Sequence, residues 1–294
     1  MQTALLMTVS ILKLRIGSFV ALAALVGILV ASGPMGVTEA AVFTLAVLGA
    51  SGAAGAFNQY LEREGDRLMA RTRNRPFASG QLKAGLVWPL TFTALLAGSL
   101  LMAWSVGGTL ATVLVFLGSL TYALVYTVLL KRRTVWNVVI GGAAGSFALL
   151  AGAAAAADPV GATLTPTALV LAGVLFLWTP PHFWALAVAR GEDYRRAGIP
   201  MLPVVAEPSV WGPAIFLHVA ALAGLSLLPV MLDMGWVYGI FALLAGAHFL
   251  RASWRLMRQP GKGAAMACFR ASLVHFAALA LGVVLDVTLH GVLA

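Results

Sequence analysis

Apolar residues run in long blocks along this chain, separated by short polar segments. The blocks lie at about 14–33, 38–60, 84–105, 108–130, 135–157, 164–189, 210–231, 234–252 and 268–292. Each is near the ~20 residues an α-helix needs to cross a ~30 Å hydrocarbon layer. The pattern predicts an all-α, polytopic membrane protein with nine transmembrane helices, built as a single domain over residues 1–294. Composition agrees: 61% of the 294 residues are hydrophobic and only 10% charged, with a mean hydropathy of +0.95. Soluble domains do not have that balance. The first block follows Lys13 and Arg15 and carries no small-residue cleavage site, so it reads as an uncleaved first helix. The single cysteine, Cys268, excludes an internal disulfide or a Cys-based metal site, and its apolar neighbours predict a packed thiol.

The net charge of +9 is distributed by side. Loops after even-numbered blocks are basic: Arg63 to Lys83, Lys131 to Arg133, Arg190 to Arg196, and Arg251 to Lys262. Loops after odd-numbered blocks carry no Lys or Arg, only Glu39, Asp158 and Asp233. With Lys13, Arg15 and Arg270, all 19 basic residues fall on one face. The positive-inside rule makes that face cytoplasmic, with the N-terminus inside and the C-terminus outside, in the periplasm if the membrane is a bacterial inner membrane. The positive charge is thereby explained by the lipid bilayer, and no nucleic-acid partner is needed.

Three polar stretches interrupt this pattern. Asn58 to Pro76 holds three acids and five arginines. Asn58, Glu62 and Asp66 are spaced by four, which in a helix turns each about 40° and lifts it about 6 Å from the last, so the three share a face. Two carboxylates and an amide so placed suit a hard divalent cation; Mg²⁺ takes one or two carboxylates and leaves room for substrate phosphates. Arg67, Arg71, Arg73 and Arg75 follow, and guanidinium groups match phosphate oxygens. The alternative is that the acids neutralise the arginines in a wet loop. The second stretch is Trp178-Thr179-Pro180-Pro181-His182-Phe183-Trp184, where two prolines predict a broken helix. His182 there is either hydrogen-bonded to a neighbouring helix or helps to hold a flat ligand or an iron. The third, Arg190 to Pro203, sets Glu192 and Asp193 among arginines at the same membrane face as the first.

Together these stretches resemble the intramembrane prenyltransferase superfamily, and within it the protohaem IX farnesyltransferases, or haem O synthases. The family's first motif, Asn-x3-Asp-x3-Asp followed by Met-x-Arg-Thr-x2-Arg-Pro, is met by Asn58, Glu62, Asp66, Met69, Arg71, Thr72, Arg75 and Pro76. Tyr126, Thr127, Asn137, Gly141 and Gly142 fit its middle segment, and Pro180 to Trp184 and Asp193 to Pro203 fit its later ones. Glu62 replaces the usual Asp, Leu14 a proline, and 146–153 lacks an expected Pro-Pro pair. The resemblance implies helices around a central cavity opening to the cytoplasmic side, farnesyl diphosphate as donor, haem b as acceptor and Mg²⁺ as cofactor. It implies a metal set of Asn58, Glu62, Asp66, Glu192 and Asp193, and a diphosphate set of Arg67, Arg71, Arg75, Lys131 and Arg190. It further implies haem contacts at His182, Trp178 and Trp184, with Asn58, Glu62, Asp66, Arg71, Lys131 and Asp193 catalytic. Haem A synthase or terminal oxidase assembly factors follow as partners. A sister prenyltransferase acting on a quinone or phenolic precursor, and a non-enzymatic haem-handling transporter, stay open.

Overall fold

The computed structural model describes residues 2–31, 33–157 and 164–293; Asp158 lies outside them. The described residues are helical, with no strand among them. Short α1 (Gln2–Ile11) leads into α2 (Leu14–Leu29) and α3 (Val37–Leu61). After α4 (Arg63–Arg67) and a loop comes α5 (Val87–Leu120), which continues as a π-helical stretch to Leu130. Next are α6 (Asn137–Gly141), α7 (Ala143–Ala155), α8 (Pro166–Ala189), α9 (Gly191–Arg196) and α10 (Leu202–Val205). The chain ends in α11 (Pro208–Leu225), a short 3₁₀ turn, α12 (Trp236–Arg258) and α13 (Lys262–Leu293).

Local signals explain the main boundaries. Glu39 folds back onto the Gly36 amide at 3.0 Å to start α3. Thr165 accepts from the Ala168 amide at 3.1 Å, with Pro166 at the first position of α8, where its missing N–H costs nothing. The prolines later in that helix do not act as expected: α8 runs through Pro180 and Pro181 to Ala189 without a break. Intramembrane prolines are carried this way when side chains and neighbouring helices support the freed backbone.

Six helices among the described residues are long and apolar enough to cross a membrane: Val37–Leu61, Val87–Leu130, Asn137–Ala155, Pro166–Ala189, Pro208–Met231 and Lys262–Leu289. Nine were expected. Leu14–Leu29 is apolar but has only 16 residues. The expected blocks at 84–105 and 108–130 fall in one 44-residue run, which kinks at Gly108, where φ is 72° and ψ −172°. A straight helix of that length would rise about 66 Å at 1.5 Å per residue, roughly twice a hydrocarbon layer. α12, which holds the block at 234–252, ends in Arg251, Arg255 and Arg258 and is not among the six. Large apolar side chains such as Leu90, Leu101, Leu217 and Leu244 point outward from the helices, as lipid contact favours.

The helices close a ring: α3 on α5, α5 on α7, α7 on α8, α8 on α11, α11 on α12, α12 on α13, α13 on α2 and α2 on α3. α2 also packs along α7, across the middle. Two glycines permit this. A Cβ on Gly27 would strike the Leu149 carbonyl, and one on Gly152 the Ala24 carbonyl. Small residues let membrane helices approach at backbone distance. Among the described residues this contact stands between two apolar spaces. A space of about 510 Å³ lies between α2, α3, α5 and α7, lined by Val20, Val47, Leu114 and Tyr122 among others. Another of about 320 Å³ lies between α2, α7, α8 and α13, lined by Val26, Leu149, Val174 and Phe276 among others. A third, of about 650 Å³, lies between α3 and the two arms of α5 and shares Ala54 and Ser119 with the first.

Candidate active site

The acidic motif begins inside α3. Asn58 lies in the last turn of that helix, Glu62 caps it, and Asp66 lies in α4. The junction keeps the helical hydrogen bonds, Glu62 N to Asn58 O at 2.9 Å and Asp66 N to Glu62 O at 2.8 Å. The fourfold spacing therefore keeps its meaning. Asn58, Glu62 and Asp66 are buried, while Glu64 between them and Arg67 just after them are exposed. The wet-loop alternative does not describe this arrangement.

Each of the three meets a cation from a different segment. Lys13, at the break between α1 and α2, donates to Asn58 Oδ1 and, at 3.1 Å, to the Tyr122 hydroxyl. Lys131 donates to Glu62 at 2.7 Å, and Arg132 approaches the same oxygen at 3.5 Å. Arg75 holds Asp66 Oδ2 at 2.7 Å. Lone buried carboxylates would be costly, and the paired cations offset that cost. Asn58 is oriented by its neighbours: an ammonium can only donate, so Oδ1 faces Lys13, and Nδ2 donates to Thr127 Oγ at 2.9 Å. Thr127 in turn donates to the Tyr122 carbonyl at 2.7 Å inside the π-helical stretch.

Lys13 has φ 49° and ψ 44°, the only left-handed backbone at a non-glycine among the described residues. Such strain persists where surrounding contacts hold it. Burial, with Arg75 adding repulsion, pushes the Lys13 ammonium down to about 7, and Asp66 opposes the shift. Burial likewise lowers Lys131, against the pull of Glu62. Cations that are hard to keep charged are stabilised by an incoming anion.

Asp193 reaches the first motif from α9. It accepts from the Ala70 amide at 3.2 Å and from Arg196 at 2.7 Å. Arg132 spans the same gap, donating to the Ala197 carbonyl at 3.0 Å. Gly65 makes room for it, since a Cβ there would run into the Arg132 guanidinium. Arg71 is exposed and makes no ion pair among the described residues, and its charge adds to the repulsion on the Lys13 ammonium. Arg190 is exposed and makes no ion pair among the described residues either.

Other expected members stand elsewhere. Glu192 is exposed and pairs with Arg195, away from Asp193, because adjacent helical residues face different ways. Arg67 is spent on the Ala78 carbonyl and Glu64. Among the described residues no three His, Cys, Asp or Glu side chains converge on one point that could hold a metal. One observation does fit a hard cation: Asp66 Oδ1 is buried with no hydrogen-bond partner. The donors Asn58, Glu62 and Asp66 are all oxygens, the set Mg²⁺ prefers.

The second region is on α8. His182 and Trp178, four apart, share a face and stack with ring centroids 4.2 Å apart. Phe269 of α13 lies 4.6 Å from the histidine ring, and Phe183 meets it edge-on at 5.0 Å. Trp184, expected beside His182, faces away: two helical positions on, it packs edge-on against His218 of α11 at 5.1 Å. The sequence presents Lys13 only as a basic residue ahead of the first block, Thr127 only as a motif position and Arg132 only as one of three basic residues after a block, and it gives no sign of Tyr122 or Ser272. Their partners come from segments far along the chain.

The UbiA prenyltransferase family profile matches residues 20–279. The chain belongs to the UbiA prenyltransferase family. Protoheme IX farnesyltransferase 2 of Paramagnetospirillum magneticum is 49% identical over 283 residues, covering 96% of this chain and 97% of that one. Protoheme IX farnesyltransferase of Granulibacter bethesdensis is 37% identical over 289 residues, covering 95% and 89%. Among solved structures, a digeranylgeranylglyceryl phosphate synthase superposes with a TM-score of 0.77 at 18% identity, covering 96% of this chain and 98% of that one. A UbiA homologue from Archaeoglobus fulgidus bound to GPP and Mg²⁺ gives 0.68 at 16% identity, covering 93% and 99%. The UbiA fold is thereby shared at low identity, and the haem-farnesylating relatives are the near ones in sequence.

Proposed function

We propose that this chain transfers a farnesyl group from farnesyl diphosphate to a vinyl group of haem b, giving haem O. The observation that carries the reading is the buried Asn58–Glu62–Asp66 rim, clamped by Lys13, Lys131 and Arg75 beside an apolar space that Tyr122 borders. An apolar space beside a few convergent polar groups is the usual form of a small-ligand site. The names of the near relatives support haem as acceptor, and the ligands of the Archaeoglobus fulgidus protein support a prenyl diphosphate with Mg²⁺.

In this reading Asn58, Glu62 and Asp66 hold Mg²⁺, with Asp193 fixing the loop after Met69 from the far side. Bound there, Mg²⁺ supplies charge neutralisation on the diphosphate. Lys13, Arg71, Arg75, Lys131 and Arg132 take up the negative charge that grows as the allylic C–O bond breaks; charge aimed at a developing anion is the main catalytic term available. Arg190 is a further diphosphate contact, and Glu192 and Arg67 have supporting roles at most. The apolar space keeps water from the farnesyl cation until a haem vinyl carbon attacks it. Water then closes the resulting haem-side cation to the hydroxyethylfarnesyl side chain and gives up a proton. Trp178 and His182 contact the porphyrin.

The same reading makes residues 1–294 one intramembrane domain with nine crossings, the long α5 run supplying two and α2 and α12 one each. It sits in a bacterial inner membrane with the N-terminus cytoplasmic and the C-terminus periplasmic, handing haem O to a haem A synthase or an oxidase assembly factor. The test is mass spectrometry of haems from cells that lack their own synthase and express this chain. Haem O is the expected product. A prenylated 4-hydroxybenzoate from membranes given both acceptors, with haem b untouched, overturns the acceptor.

A further inference from the structure

The histidine cage contains a proton arrangement that its distances decide. Ser272 of α13 makes two short contacts through one hydroxyl: 2.6 Å to the Phe269 carbonyl and 2.7 Å to His182 Nδ1. A hydroxyl has one proton and two lone pairs. A carbonyl oxygen can only accept, so the Ser272 proton belongs to Phe269 O; otherwise two oxygen lone pairs would face each other at 2.6 Å. The contact to His182 then needs its proton from the ring. With the proton on Nδ1, both contacts are hydrogen bonds. With it on Nε2, only one can be.

The same residue steadies the cage a second way, for Trp178 Nε1 donates to the Ser272 carbonyl at 2.8 Å. Trp178 and Phe269 cover the imidazole faces, so a ligand could meet the ring only at its edge. Among the described residues the ring's hydrogen bond runs through Nδ1. We propose that Ser272 is a positioning residue that fixes His182 as the Nδ1–H tautomer and presents the Nε2 lone pair as a ligand to the iron of the acceptor porphyrin. The iron half of this statement rests on the proposed haem acceptor; the tautomer half does not. Hydrogen bonding at one ring nitrogen commonly selects which nitrogen meets a metal.

Two measurements test it. The first is nitrogen-15 NMR of the histidine-labelled full chain in lipid nanodiscs without haem, with His182→Asn identifying the resonances. The expected result is a proton on Nδ1 and a bare Nε2; a proton on Nε2, or on both nitrogens, overturns the assignment. The second is titration with haem b followed in the Soret band. Ser272→Ala is expected to weaken binding about 10- to 100-fold, the usual scale for losing a partner of a metal ligand, and to alter the spectrum. Ser272→Thr, which keeps the hydroxyl, is expected to restore both. Wild-type affinity and spectrum in Ser272→Ala overturn the positioning role. If His182→Asn binds haem with the wild-type spectrum, iron ligation by His182 is overturned while haem as acceptor stands. If the wild-type chain neither binds haem nor makes haem O, the proposed function falls and the NMR result alone decides the tautomer.

Discussion

At the rim, Glu62 and Asp66 are buried charges, each held by a cation from another segment, and Asp66 Oδ1 is left without a hydrogen-bond partner. In the cage, His182 is buried among Trp178, Phe183 and Phe269, and among the described residues its polar tie runs to Ser272. The rim buries charge against charge, so removing one partner strands the other. The cage buries a group with aromatic cover, so removing one ring loosens contact without stranding a charge. The difference teaches that the two regions fail differently: the rim all at once, the cage by degrees.

The largest effect belongs to the rim. Asp66→Asn is expected to lower pyrophosphate release from farnesyl diphosphate by about 100-fold or more, the scale of losing one preorganised electrostatic group. Membrane insertion and thermal stability, measured alongside, separate chemistry from folding; full turnover would remove Asp66 from the site. Next comes the cage. Trp178→Leu is expected to raise KM for haem b about tenfold, a loss of about 1.4 kcal/mol, with KM for farnesyl diphosphate unchanged. Trp184→Phe, on the other side of α8, should change neither constant; equal effects from both tryptophans would dissolve the distinction between cage and core.

A third substitution tests what separates the regions. Gly152→Val inserts a side chain into the α2–α7 contact and is expected to cost about 1–3 kcal/mol, read as a lowered Tm in detergent. An unchanged Tm would mean that α2 and α7 are not in backbone contact. The smallest effect is expected at Glu192→Gln. Its side chain is exposed, so stability should stay within about 0.5 kcal/mol and turnover within about twofold. A loss like that of Asp66→Asn would return Glu192 to the metal set.

What the sequence made legible follows from how far each signal reaches. Asn58, Glu62 and Asp66 lie within nine consecutive residues, and helical spacing alone predicts their shared burial. Their partners do not: Lys131 lies 69 residues beyond Glu62, and Lys13 lies 45 before Asn58. Both look like ordinary basic anchors of a membrane helix, and nothing local separates an anchor from a clamp. Trp184 was placed with His182 by nearness in sequence, although two residues along a helix turn a side chain about 200°. The same oversight joined Glu192 to Asp193. Pro180 and Pro181 suggested a break because support from neighbouring helices cannot be seen in one segment. The number of spans rests on hydropathy and on the sidedness of Lys and Arg; these divide the chain between 105 and 108, where it kinks at Gly108, but do not show the shortness of α2.

The meeting of Gly27 and Gly152 has an architectural outcome. A partition made of side chains can swing open when a rotamer changes; one made of main chain against main chain has no such hinge. Whatever fills the chamber beside Tyr122 cannot pass sideways into the one beside Phe276 at that height. Contents of the two can meet only away from that contact, toward the end of α2 that carries Lys13.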